Sequence, residues 1–359
     1  MSGSPDARLS RVRAVTAVGK RVADPTDPLG REARAALLGS SGLSAEGIEL
    51  ALTVHLETDP APEHLQELLA AAGAAPRCHI VLSANVCTAA LRALAVAAAV
   101  APSIAVRPSR RDPGLGALLA RALATDAAFV AAGGVVACVD AIAAAPGDEL
   151  HLYGRDETVS AIAASSLPGV IVRAHGTGLG VAVVGPSVAV ELAALALARD
   201  VIPFDQRGCL SPRAALVEGP ASRAAAFALA LDRALRELGA AVPRGLLDTG
   251  LRTELALYRA SLQAVGDFWE GPDHAVGLDP DPRALLLPPP ARVVHVVPVV
   301  AGVAPSLLGP WAPFLTSIGS LGAGSLLSAV GELAPRARRA HLGEMQRPPL
   351  DGPVDLRLR

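Results

Sequence analysis

Short apolar runs separated by alanine-rich helical stretches fill the middle of this chain, and that alternation leaves few folds open. Residues 77–83 read as a strand, 88–100 as a helix, 103–107 as a second strand closed by Pro108, and 115–124 as another helix. Strand candidates follow at 128–130, 149–153 and 170–172, with a helix at 157–165 between the last two. Ahead of them, Ser44 is an N-cap for a helix over 48–55, and 61–72 supplies one more. A parallel sheet with helices on both faces is the arrangement that buries such runs, so the fold class is α/β. Such sheets bind ligands beyond the carboxyl ends of their strands, at a switch in strand order. The loops after Leu82, Val106 and Tyr153 are therefore the ones to inspect.

Composition shifts along the chain suggest its divisions. Residues 1–40, where Pro5, Pro25 and Pro28 stand among scattered charges, are expected to be weakly ordered. One domain spans 41–204. Beyond Phe204 come a polar loop, helices at 222–238 and 253–265, and a Pro-rich apolar stretch, which give a second α/β domain over 205–335 and a tail over 336–359. The stretch 293–331 contains no Asp, Glu, Lys or Arg and is long enough to cross a bilayer. Pro298, Pro305, Pro310 and Pro313 interrupt it, however, and each would cost a helix about 3 kcal/mol. Buried strands and loops are the better reading, so no membrane span is expected.

The chain has 359 residues, 51% hydrophobic and 18% charged, which is enough for a full apolar core. A formal charge of −2 gives no footprint for nucleic acid or an anionic membrane. Lys20 is the only lysine, in a polar N-terminal stretch without the glycines and hydroxyl of a phosphate-binding loop. Schiff-base chemistry and P-loop hydrolysis are excluded on that ground. Cys78, Cys87, Cys138 and Cys209 form no C-x-x-C pair and stand beside no zinc-spaced histidines, so no metal is expected. Arg8, Arg11, Arg13, Lys20 and Arg21 leave no apolar signal core, and the expected location is cytoplasmic.

One local run stands out: Phe204-Asp205-Gln206-Arg207-Gly208-Cys209-Leu210-Ser211-Pro212. A cysteine in a polar loop beside Arg207 and free backbone N–H groups has its thiolate favoured, and the thiolate is the nucleophile. A small buried thiol would look the same in sequence. Cys138, within Val135-Val136-Ala137-Cys138-Val139, reads as core. Asn85 ends the first strand, where its amide could donate to a developing oxyanion or cap the helix beginning at Thr88. Arg107, Arg110 and Arg111 form a basic loop at a strand end, suited to phosphate or to plain solvation. The glycines of His175-Gly176-Thr177-Gly178-Leu179-Gly180 precede their apolar run, the wrong order for a dinucleotide fingerprint.

Taken in order, these features resemble the acyl-CoA reductases of the aldehyde dehydrogenase superfamily, the group that includes the fatty-acyl reductase of bacterial luminescence. The resemblance runs from about Gly42 onward. It rests on Ser83-Ala84-Asn85-Val86, the Arg107–Pro113 loop, Tyr153-Gly154-Arg155, the Cys209 run, and Gly343-Glu344-Met345-Gln346-Arg347-Pro348-Pro349. It implies an aldehyde dehydrogenase-like fold, with 41–204 binding a nucleotide cofactor and 205–335 carrying catalysis. It also implies that Cys209 is the nucleophile and Asn85 the oxyanion donor, and that Arg107, Ser109, Tyr153, Gly154 and Arg155 contact the cofactor.

The implied reaction is NADPH-dependent reduction of an acyl-CoA, or a carrier-bound acyl thioester, to an aldehyde, with NADH as the other nicotinamide donor. A homo-oligomer is compatible with the resemblance. Where a hydrolytic relative carries a water-activating glutamate, this chain reads Arg173-Ala174-His175-Gly176, which favours passing the acyl group to hydride. Arg107 replaces the usual lysine, Cys87 the usual proline, and the C-terminal motif lacks its tryptophan. Those departures fit a second reading, a non-catalytic binding subunit for an acyl-activating partner protein. A cofactor-independent acyltransferase or thioesterase using Cys209 alone is the third.

Overall fold

Five short parallel strands form the sheet of the first unit. The computed structural model describes residues 4–322 and 324–357. These divide into two compact units, the first holding 4–177 with 349–353 and the second 178–348 with 354–357. The first unit runs α1 (Pro5–Ala23), α2 (Pro28–Ser40), α3 (Ala45–Thr53), α4 (Pro62–Ala71), β1 (Arg77–Val81), α5 (Ala89–Val100), β2 (Ser103–Arg107), α6 (Gly114–Ala124) and α7 (Ala127–Ala131). It continues through β3 (Val135–Cys138), β4 (Glu149–Tyr153), α8 (Asp156–Ala164) and β5 (Ile171–His175).

The chain leaves β1 in one direction, through β2 to β3, and then returns to the other side of β1 with β4 and β5. The switch therefore falls between β1 and β4, whose registers pair Val81 with Leu152. Helices α5 and α6 cover one face with an alanine- and leucine-rich core, and α8 covers Leu150, Leu152 and Val81 on the other.

Of residues 1–40, expected to be weakly ordered, 1–3 lie outside the described residues and the rest form two helices joined by a short turn. Their prolines mark helix starts: Pro5 follows the N-cap Ser4, and Pro28 follows Asp27, whose carboxylate accepts from the Leu29 N–H. The charges lie around a buried seam of Val12, Val15, Val18 and Val22. Two of the arginines have structural work. Arg8 donates to the Ala99 and Ala72 carbonyls, and Arg11 to those of Ala98 and Ala132, closing the carboxyl ends of α4, α5 and α7.

Other expectations are corrected as well. Residues 128–130 belong to helix α7, started by the Asp126 carboxylate accepting from the Phe129 N–H. The strand lies after the Gly133-Gly134 turn, where Gly133 takes φ +74°. As β3 is an edge strand, Cys138 is exposed rather than core.

The second unit contains β6 (Leu179–Val184), α9 (Val190–Val201), a 3-10 turn (Pro203–Gln206), β7 (Pro212–Glu218), α10 (Ala221–Ala241), α11 (Thr249–Leu262), β8 (Asp267–Glu270) and β9 (Ala275–Leu278). Then come β10 (Val293–Val299), α12 (Ala304–Leu308), a second 3-10 turn (Gly309–Phe314), β11 (Leu315–Leu321), α13 (Ser325–Leu333) and β12 (Arg338–His341). Its seven strands are ordered β12-β11-β6-β7-β10-β9-β8, with only the β8–β9 pair antiparallel.

The charge-free stretch 293–331 supplies the interior strands β10 and β11, so its hydrophobicity is spent on the sheet core. Among the described residues no helix is long and apolar enough to cross a membrane. The units divide at 177/178 instead of 204. Residues 338–341, expected in a tail, are strand β12 beside β11, while buried Arg92 ties Pro349 and Gly352 to the first unit through their carbonyls.

Candidate active site

In the first unit, the carboxyl ends of β1, β2 and β4 surround a cavity of about 280 Å³. All three loops singled out in the sequence contribute: Asn85 after β1, Arg107 and Ser109 after β2, and Tyr153, Gly154 and Arg155 after β4. Thus six of the seven sequence-derived site residues line one space. Arg110 and Arg111 complete a rim with four guanidinium groups and no carboxylate among the described lining residues. The acidic member of the basic loop, Asp112, accepts from the Ser40 hydroxyl at 2.6 Å. The Ser109 hydroxyl accepts from the Arg111 N–H, which shapes the turn. A net positive, concave rim at a switch in strand order suits an anionic nucleotide.

Asn85 does not serve as a helix cap. The N-cap of α5 is Thr88, and no side chain closes that end. Asn85 is exposed at the cavity instead. Tyr153 stacks on His175 with ring centroids 4.5 Å apart and planes 9° from parallel, and His151 lies 5.7 Å beyond. His151 and Arg173 both bond the Glu149 carboxylate, at 2.9 and 3.3 Å. Burial raises that carboxyl, but these two partners bring it below its ordinary value.

Cys209 belongs to the second unit, in a tight turn between the 3-10 turn and β7 where the Ser211 N–H donates to the Gly208 carbonyl. It is partly exposed. The turn is approached through three consecutive left-handed residues, Phe204 (φ 55°), Asp205 (φ 51°) and Gln206 (φ 64°). Such conformations cost non-glycine residues about 1–3 kcal/mol each, so something must hold them. Buried Asp205 does so by pairing with Arg292 at 2.7 Å and accepting from the Gly245 N–H. Gln206 donates to the carbonyls of Pro212 and Val293 and accepts from the Val293 N–H. Arg207, expected to favour the Cys209 thiolate, turns back to the Phe204 carbonyl and Asp205.

On the other side of the turn, the Thr316 hydroxyl donates to the Cys209 carbonyl and Ser317 to that of Leu210. The Gly180 N–H donates to the Ser211 carbonyl. Gly178 must lack a side chain here, since a Cβ would lie 3.1 Å from the Cys209 Cβ and collide with Thr316. Sequence reasoning missed Thr316, Ser317 and Arg292. They lie about a hundred positions from the cysteine, and no local pattern marks them. Among the described residues, no group of acidic, histidine or cysteine side chains could hold a metal ion.

A family model described as acyl-CoA reductase (LuxC) matches residues 68–349, a span that includes every strand of both sheets. The chain belongs to the acyl-CoA reductase (LuxC) family. Membership places it among oxidoreductases that reduce acyl groups to aldehydes. No curated protein matches this family member.

Solved structures agree on the fold. A NAD-dependent benzaldehyde dehydrogenase from Corynebacterium glutamicum is 14% identical, with 94% of this chain and 82% of that one covered at a TM-score of 0.66. A NAD-dependent aldehyde dehydrogenase from Sinorhizobium meliloti is 14% identical over 99% of this chain and 76% of the other, TM-score 0.65. A mutant of aldehyde dehydrogenase C from Pseudomonas syringae, crystallised with NAD+ and octanal, is 15% identical over 93% and 76%, TM-score 0.62. The family member therefore has the aldehyde dehydrogenase-like fold that its sequence suggested.

Proposed function

We propose that the chain reduces an acyl-CoA or carrier-bound acyl thioester to an aldehyde, using NADPH and a Cys209 acyl-enzyme. The observation that carries this reading is that the chain holds two built features, a cysteine turn fixed from both sides in one unit and an arginine-rimmed cavity at a strand-order switch in the other. The cavity residues fit a phosphorylated dinucleotide. Arg107, Ser109, Tyr153, Gly154 and Arg155 would hold it, with Arg110 and Arg111 supplying charge for a further phosphate.

In the proposed reaction the Cys209 thiolate attacks the thioester carbonyl carbon. The carbon–sulfur bond to the carrier breaks, the carrier thiolate takes a proton, and the acyl group stays on Cys209. The Asn85 amide and the Cys209 backbone N–H are assigned to the oxyanion. The chemistry a nicotinamide supplies when bound is the hydride that turns the acyl thioester into a thiohemiacetal. Cleavage of its carbon–sulfur bond releases aldehyde and returns the thiolate to Cys209.

Water is a poor competitor in this reading. The segment where a hydrolytic relative would carry its base offers Arg173, already paired with Glu149, and His175, stacked on Tyr153. A cofactor-independent transferase would have no use for the arginine rim, and a binding subunit none for the fixed cysteine turn. A nicotinamide donor and four cysteines outside any disulfide suit a cytoplasmic enzyme. Steady-state assay of octanoyl-CoA with NADPH tests the reading: octanal and NADP+ should form in equal amounts, and thioester loss without NADPH oxidation would overturn it.

A further inference from the structure

Asp200 is fully buried near the end of α9, nine residues before the nucleophile, and its partners lie more than 140 residues further on. One carboxylate oxygen accepts from the Gly343 N–H at 2.6 Å and the other from the Met345 N–H at 2.8 Å. The Gln346 N–H is a third donor. Burial pushes the carboxyl up to about 7, and these three donors work against that rise. The loop it grips takes a left-handed turn at Gly343 (φ 97°), whose bare Cα faces Ala196 of α9.

What the loop presents on its far side connects it to the cysteine. Met345 runs over Gly180 and Gly319, filling the space their missing side chains leave. A Cβ at Gly180 would meet three groups at once: the Leu210 carbonyl, Ser317 Oγ at 2.7 Å and the Met345 methyl at 2.9 Å. Leu210 directly follows Cys209. Next to Met345, Gln346 Oε1 accepts from the Ser211 hydroxyl at 3.5 Å. So a single carboxylate holds the backbone of Gly343, Met345 and Gln346; the Gln346 side chain meets Ser211, and the Met345 side chain packs on Gly180, whose N–H donates to the Ser211 carbonyl.

We propose that Asp200 is a positioning residue for Cys209, acting through Met345 and Gln346 on the Ser211 side of the turn. The proposal rests on the reading of Cys209 as the nucleophile. Displacing a reacting atom by about 1 Å can cost a hundredfold in rate, so a loosened turn has a kinetic signature. A purely structural carboxylate would change stability and leave the acylation rate of the folded fraction alone.

The test uses the full chain as native protein, Asp200→Asn, Met345→Ala and Cys209→Ala. Acylation by octanoyl-CoA without nucleotide is followed by rapid-quench intact mass, folding by circular dichroism, and NADPH binding by fluorescence. For Asp200→Asn we expect an acylation rate at least tenfold below native, a lower kcat with the thioester KM within twofold, and unchanged NADPH affinity. If Asp200→Asn does not fold, Met345→Ala decides: it should stay folded and acylate at least threefold more slowly. A folded Asp200→Asn, or failing that a folded Met345→Ala, that acylates within twofold of native overturns the positioning role alone. A native chain that gains no adduct at Cys209 overturns the nucleophile reading, and the positioning role with it.

Discussion

The side chain of Gln206 pairs with the backbone of Val293 as a neighbouring strand would: its Nε2 donates to the Val293 carbonyl at 2.7 Å and its Oε1 accepts the Val293 N–H at 2.8 Å. Since Nε2 also reaches the Pro212 carbonyl, one amide ties the start of β10 to the start of β7, three residues after Cys209. It does so from a left-handed backbone. Replacing Gln206 with Leu would leave buried polar groups of Val293 and Pro212 without a partner and release the turn. A loss of about 2–4 kcal/mol in urea unfolding is expected. Retained stability would mean that the turn is held from the Thr316 side alone.

Gly178 supplies a more local test. Gly178→Ala places a methyl 3.1 Å from the Cys209 Cβ and against Thr316, so one of them must shift. Aldehyde formation should fall about 10–100-fold, by misplacement of the reacting atom. NADPH binding should not change, because the arginine rim lies in the first unit. Unaltered turnover would show that the turn absorbs the methyl.

Much of this was legible in the chain. The alternation of strands and helices gave the first sheet, and the three strand-end loops gave its cavity, because both follow from local periodicity and from the topology of parallel sheets. The N-terminal helices were missed for a physical reason: Pro5 and Pro28 look like breakers, but at the first position of a helix a proline forfeits nothing. The 128–130 strand failed because Asp126 could cap a helix there. The grip of Asp200 on Met345, and of Thr316 on Cys209, joins positions far apart in sequence, and only the fold brings them together.

The arginine rim makes a prediction about the cofactor. A charge-assisted hydrogen bond to phosphate contributes about 1.5–3 kcal/mol, so removing Arg110 and Arg111 together should raise the NADPH KM by about tenfold or more. The effect on kcat should stay small, and the native KM should rise with salt. If the KM for NADPH is unmoved, the phosphate assignment is wrong.

His295 should set part of the acid sensitivity of the second unit. Burial pushes its imidazole down to about 4, and its Nδ1 and the Tyr258 hydroxyl are hydrogen-bonded at 2.8 Å. Because the unfolded value is about 6.5, the neutral ring contributes stability that is fully present above that pH and lost as pH falls towards the folded value. The difference amounts to about 3 kcal/mol at most. His295→Gln, which cannot titrate, should flatten the fall in the urea midpoint between pH 6.5 and 4.5. An unchanged slope would assign the acid sensitivity to other groups.

An acyl-enzyme at Cys209 adds the mass of one acyl group to the chain, which intact-protein mass spectrometry reads. Native chain and Cys209→Ala are mixed with octanoyl-CoA, first without nucleotide and then with NADPH. The native chain alone should gain one acyl group, persistent in buffer and discharged as octanal when NADPH is added. An adduct on Cys209→Ala, no adduct on either chain, or loss of the acyl group to water before NADPH arrives would contradict the Cys209 acyl-enzyme.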